Sequence, residues 1–139
     1  MRLTSFTDYG LRMLMRLASA PDRSFSTAEL AEEFGLSRNH LSKIMQQLAR
    51  AGIVVTRRGG GAGARLARPA SEFLLGHLVA VLEADQALVE CFGPGKTFCT
   101  LDPQCRLKAR LRSAESAFIA DLDRSTLADI ALAEPRKTA

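Results

Sequence analysis

The chain has 139 residues, a length that suits one compact domain or a small domain with a dimerisation element, and 47% of them are apolar. Its net charge is +4, but residues 1–70 carry eleven Lys/Arg against five Asp/Glu and residues 71–139 carry eight against ten, which points to a nucleic-acid-binding module joined to something else. No apolar run approaches the roughly eighteen residues of a membrane helix, the first residues lack the apolar core of a signal peptide, and three cysteines without a secretion signal argue for the reducing cytoplasm over a disulfide framework.

In chain order, residues from Thr4 to about Ala20 predict a helix, because Phe6, Tyr9, Met13 and Leu17 recur on one stripe. Asp8 and Arg12 sit four apart on the other side, where they can pair. Ser26-Thr27-Ala28-Glu29 has the form of a capping box, opening a short helix that Gly35 ends. Ser37 then caps a second helix from Arg38 to Ala51, with Leu41, Ile44, Met45 and Leu48 inward and Gly52 as its stop. A short helix, a tight Gly-containing turn and a longer helix form the helix-turn-helix pattern.

The outward positions of that second helix are Arg38, Asn39, His40, Lys43, Gln46 and Gln47, donor-rich and without an acid. A solvated helix face is the plain alternative, but Arg suits guanine and Asn or Gln suits adenine at the N-terminal end of a recognition helix. Ser37, Arg38, Asn39, His40 and Lys43 are therefore candidate DNA contacts. Residues 53–56 predict a strand, followed by a basic glycine-rich hairpin to Leu66 that reads as a wing, with Arg57, Arg58, Arg65 and Arg68 placed for phosphates. A nucleotide-binding loop at these wing glycines is excluded, since the stretch has no Gly-Lys-Ser/Thr, no complete G-x-G-x-x-G and no following helix.

Pro69-Ala70-Ser71 marks a boundary between a DNA-binding region, 1–70, and a second region, 71–139. The second region predicts a buried helix from Glu72 to about Glu83, in which His77 reads as an edge residue, and a helical piece at 86–90. A Gly/Pro-interrupted loop, 91–105, holds all three cysteines, Cys91, Cys99 and Cys105. Asp102-Pro103 predicts the start of a long helix carrying Leu107, Leu111, Ala114, Phe118 and Leu122, spaced to pair with its twin in a homodimer or to pack within one chain. A short helix over 125–130 and a polar tail from Glu134 finish the chain.

Three thiols in one loop are soft donors suited to zinc or an iron–sulfur cluster, and scattered core use would not concentrate them this way. They are one short of the four ligands such groups take.

The segments Met1 to Arg12, Leu36-Ser37-Arg38-Asn39-His40-Leu41, the glycine wing with Arg65-Leu66, Cys105-Arg106-Leu107-Lys108 and Thr126-Leu127-Ala128-Asp129 resemble the NsrR group. These are nitric-oxide-sensing repressors among the winged-helix regulators that include the iron–sulfur cluster regulator. The resemblance spans the chain to about Ile130. It implies a homodimer that binds a near-palindromic operator in double-stranded DNA and represses nitric-oxide detoxification genes while holding an iron–sulfur cluster of the 4Fe–4S type. It also implies the ligands: Cys91, Cys99 and Cys105 as thiolates, with Asp8 of the partner subunit as the fourth. The seven residues between Cys91 and Cys99, and Glu90-Cys91-Phe92, lean towards the rhizobial iron regulator, which reads iron status. A structural zinc site in a winged-helix regulator is a further alternative. Nothing resembles the nucleophile, base and acid of an enzyme. The expected fold is mainly α: a winged helix-turn-helix with a small β-hairpin wing, plus a long dimerisation helix.

Overall fold

The computed structural model describes residues 1–59, 62–95 and 99–133. The expected glycines at the wing tip, Gly60 and Gly61, the loop residues Lys96 to Phe98 and the tail from Glu134 lie outside them.

Helix α1 (Ser5–Ser19) begins where Thr4 Oγ1 accepts from the Thr7 N–H at 3.2 Å, and it buries Met13, Leu14 and Leu17. Its Gly10 is a crossing point: a Cβ there would stand 2.6 Å from Leu82 Cδ2 and 3.3 Å from Ile44 Cγ2. Helix α2 (Thr27–Phe34) starts at Ser26, whose Oγ accepts from the Glu29 N–H at 3.0 Å. The Glu29 carboxylate, however, pairs with Arg23, so only one half of the expected capping box forms. Gly35, at φ +65°, turns the chain towards α3 (Arg38–Arg50), with Ser37 Oγ accepting from the His40 N–H. Leu41, Ile44, Met45 and Leu48 face inward as the periodicity requires.

Strands β1 (Val54–Arg57) and β2 (Gly63–Leu66) pair antiparallel, with Val54 opposite Leu66 and Arg57 opposite Gly63. Phe25 adds a third edge that the sequence did not announce. Its N–H donates to the Ala64 carbonyl at 2.9 Å, and the Ala64 N–H donates back at 2.7 Å.

Beyond the wing, three expectations fail. The helix expected from Glu72 is a 3₁₀ turn (Ala70–Glu72), two extended residues, and then α4 (Leu75–Leu82). The reason is long-range pairing: the Phe73 carbonyl accepts from the Leu127 N–H at 2.9 Å, and the Leu75 N–H donates to the Ser125 carbonyl at 3.0 Å. Those bonds replace the helical ones and bury the Phe73 ring. No helix forms over 86–90; a 3₁₀ turn instead spans Glu90–Phe92, its caps closed by the Phe92 and Gly93 N–H groups. The long helix α5 (Arg106–Leu122) starts at Cys105, not at Asp102-Pro103, and the Asp102 carboxylate accepts from Lys108 Nζ at 3.2 Å instead of capping a backbone N–H.

The final helix α6 (Leu127–Ile130) is where expected, fixed by the Thr126 N–H donating to Asp129 Oδ2 at 2.7 Å. Phe25, Leu41 and Ile44 share one core with Phe73, Leu78, Leu82 and Leu127, so packing runs across residue 70. At about 1.5–3 kcal/mol per buried large apolar side chain, this core dominates the stability of both halves. The architecture is mainly helical with one two-stranded hairpin. Helix α5 buries no residue of its own; it meets α4 at Gly76, where an added Cβ would stand 2.5 Å from Asp123 Oδ1.

Candidate nucleic-acid interface and cysteine loop

Helix α3 presents Ser37, Arg38, Asn39, Lys43 and Gln46 as exposed residues beside the exposed wing arginines Arg57, Arg58 and Arg65. The N-terminal end of α3 adds its own unpaired N–H groups and positive dipole end, which favour phosphate. Three members of the expected set are committed elsewhere. Ser37 Oγ is the N-cap acceptor. The His40 ring stands edge-on to Tyr9 at 5.3 Å and beside Phe6 at 6.1 Å, which makes it a bracket between α3 and α1. The Arg68 guanidinium lies 4.7 Å above the Phe73 ring, on the core side of the wing.

Gln47 also departs from its expected outward role. Its Nε2 donates to the Val81 carbonyl at 2.6 Å, tying α3 to the end of α4. Replacing Gln47 with Leu leaves a half-buried carbonyl without its partner, an expected loss of about 1–3 kcal/mol in chemical denaturation. A loss within a few tenths would remove this tie.

On α1, Asp8 is exposed and bound by Arg12 through both oxygens, Nε to Oδ1 at 3.0 Å and Nη2 to Oδ2 at 2.9 Å. Arg12 also lies 5.5 Å from the Tyr9 ring, so Asp8, Arg12, Tyr9 and His40 form a surface row from α1 to the recognition helix. The N-cap of α1 is held from the other side, where Thr4 donates its N–H to Glu83 Oε1 at 2.6 Å.

All three cysteines are free thiols; Cys91 and Cys105 are half-buried and Cys99 is exposed. Cys105 is the N-cap residue of α5. Among the described residues, contacts that join the loop to that helix include Lys108 to Asp102 and the Arg112 guanidinium 3.8 Å above the Phe92 ring. The second has no local sequence signal beyond the seven-residue spacing of Arg112 from Cys105. Among the described residues, no three His, Cys, Asp or Glu side chains stand together closely enough to hold a metal ion. The chemistry of the donor set nevertheless suits an iron–sulfur cluster, since the thiols are unpaired and share one loop. His77 is exposed, and its backbone N–H donates to Asp123 Oδ1 at 3.0 Å.

A helix-turn-helix, a basic wing and a donor-rich recognition helix on one continuous core define a winged-helix DNA-binding transcription regulator. Residues 3–133 match the Rrf2 profile, described as an iron-dependent transcriptional regulator, and the chain belongs to the Rrf2 family. The chain is similar to CymR of Staphylococcus aureus at 29% identity, over 97% of this chain and all of that one, with a TM-score of 0.66. It is also similar to CymR of B. subtilis, described as that organism's global cysteine regulator, at 26% identity over 94% of this chain and 96% of that one, TM-score 0.71. IscR of T. potens matches at 26% identity, over 94% of this chain and 85% of that one, TM-score 0.71. Regulators of this family bind DNA and are typically dimers, and they are not enzymes. No helix among the described residues is long and apolar enough to cross a membrane.

Proposed function

We propose that this Rrf2-family regulator is a homodimeric, cytoplasmic repressor of nitric-oxide detoxification genes that senses nitric oxide through an iron–sulfur cluster. The observation that carries the reading is the concentration of all three cysteines, each a free thiol, in the single loop leading into α5. Cys91, Cys99 and Cys105 would hold the cluster, of the 4Fe–4S type, with Asp8 of the partner subunit as the oxygen ligand. When bound, the cluster supplies iron whose carboxylate-ligated corner exchanges more readily than its thiolate-ligated ones and is open to a diatomic ligand.

The remaining steps belong to the chain. Leu107, Leu111, Ala114 and Phe118 repeat at four, three and four residues along α5, with Leu107 and Ala114 exposed and Leu111 and Phe118 half-buried, the spacing of a helix-pairing seam. Pairing there sets two recognition helices at successive major grooves, roughly 34 Å apart. Asp8 reaches the recognition helix through Arg12, Tyr9 and His40, so the row that holds Asp8 also orients the N-terminus of α3. A few kcal/mol between two poses of these helices suffices to switch occupancy of the operator.

Within this reading Arg38 reads a base and Arg58 a phosphate. Arg38→Ala is expected to lose about 1–3 kcal/mol of operator binding and to relax base preference at one position. Arg58→Ala should weaken all DNA alike and flatten the salt dependence by about one unit of slope. Gel shifts on operator and scrambled duplexes at several salt concentrations separate the two; identical behaviour would reverse these assignments.

A second reading, iron-status sensing, is favoured by the seven-residue gap between Cys91 and Cys99. An anaerobic absorption spectrum titrated with nitric oxide, run beside an operator gel shift, decides. Visible absorption that bleaches as binding disappears supports nitric oxide. Insensitivity to substoichiometric nitric oxide, with collapse on iron chelation, supports iron. Colourless, zinc-containing protein removes the cluster. Asp8→Ala should alter the spectrum or the nitric-oxide response, and an unaltered protein takes Asp8 out of the ligand set.

A further inference from the structure

Phe92 directly follows Cys91, and its ring lies beneath the Arg112 guanidinium at 3.8 Å. Arg112 is seven residues beyond Cys105, the residue that caps α5. Seven residues are about two helical turns, roughly 10.5 Å, so Cys105 and Arg112 share one face of the helix. The stack therefore fastens the segment of the first cysteine to the same wall that the third cysteine heads. Lys108 does the equivalent for the segment between the second and third, through Asp102 at 3.2 Å.

Between these two ties stands Cys99, the one exposed thiol of the three. Among the described residues the ion pairs do not include Arg112, so the Phe92 face is its recorded partner. Surface arginines rest on aromatic rings about once per 70–80 residues without special purpose. This one differs in what it joins: a turn of three residues, Glu90–Phe92, that has no side-chain cap of its own, and the helix that carries Cys105. Without the stack, that turn is fastened to α5 by neither a salt bridge nor a side-chain hydrogen bond among the described residues.

We propose that Arg112, through Phe92, is a positioning residue for the cysteine loop: it fastens the Cys91 segment to α5 two turns beyond Cys105, on the face that Cys105 heads, and leaves Cys99 the least held of the three. The functional meaning rests on the three cysteines being the ligands proposed above, but the fastening itself belongs to the metal-free chain and is measured there.

The test is a short anaerobic pulse of iodoacetamide on the reduced, metal-free full chain, with each cysteine peptide quantified by mass spectrometry. In the unaltered chain Cys99 labels fastest. Phe92→Leu and Arg112→Ala should each raise Cys91 labelling about two- to fivefold, the range an exposed cation–π contact supports, with Cys99 unchanged. Phe92→Tyr, which keeps the ring face, should label as the unaltered chain does. Thermal melts accompany each variant. Cys91 labelling unchanged in both Phe92→Leu and Arg112→Ala overturns the proposal, as does a rise at all three cysteines together with a lowered melt. Iron and sulfide analysis after reconstitution stands apart: absence of a cluster alongside the expected Cys91 shift removes the sensing function and leaves the positioning role intact.

Discussion

Under the proposed cluster reading, Cys105→Ala is expected to abolish visible absorption of the reconstituted protein and, in the same protein, to drop operator affinity to the non-specific level. That fall is about a thousandfold or more, the usual gap between specific and non-specific binding. The position makes the experiment clean. Cys105 is the N-cap of α5 but makes no side-chain capping hydrogen bond, so alanine removes a thiol without removing a cap. The half-buried side chain also lies outside the continuous core, and the melt should move little. Cys91→Ala and Cys99→Ala should behave alike if the three thiols act as one set. A colourless Cys105→Ala protein that still binds the operator at full strength would uncouple the loop from the recognition helices. The same-day metal analysis decides whether the loss concerns iron or zinc.

The sequence was most readable where the signals are local. Ser26 and Ser37 cap α2 and α3, Gly35 ends α2, and the apolar spacing of α1 and α3 puts Met13, Leu17, Leu41 and Leu48 in the core. The wing followed from a strand-forming run at 53–56 and a basic, glycine-rich turn directly behind the helix-turn-helix. What misled was contact over long separations. Phe73 and Leu75 carry helical periodicity, yet the Phe73 carbonyl and the Leu75 N–H bond to Leu127 and Ser125, some fifty positions later, and no local pattern contains that choice. Gln47 reads as a base contact by its place on α3, and only the nearness of the Val81 carbonyl reassigns it.

Asp102-Pro103 had every mark of a helix start, but a nearby lysine, Lys108, takes the Asp102 carboxylate that a cap would need. The cysteine loop is a mixed case. Its chemistry was plain from composition, while its ties to α5 through Phe92 and Asp102 depend on how the loop folds back.

Gly63→Ala is expected to be the most damaging single-methyl change in the wing, costing about 2–4 kcal/mol. Two terms combine. Gly63 sits at φ +133°, a backbone region in which an L residue is strained by about 1–3 kcal/mol. A Cβ would also stand 2.6 Å from the Phe25 carbonyl oxygen and 2.7 Å from its carbon. These are backbone atoms, which cannot rotate away as a side chain would. Relief therefore means parting Phe25 from Ala64 and giving up hydrogen bonds of 2.9 and 2.7 Å, each worth about 1 kcal/mol net.

The Phe25 ring is itself pinned under Arg16 and Arg23, at 4.8 and 4.2 Å, so its segment has little room to follow. Against a total stability of about 5–15 kcal/mol, the change would consume a large share. Gly35→Ala is the control: φ is +65°, nothing stands within 4 Å of an added Cβ, and about 1 kcal/mol is the expected cost. Chemical denaturation of the two variants measures the difference. If Gly63→Ala costs no more than Gly35→Ala, the third edge at Phe25 is not holding the wing. If it costs two to three times as much and DNA binding weakens with it, the wing arginines owe their placement to that edge, because Arg65 and Arg57 hang from the same two strands.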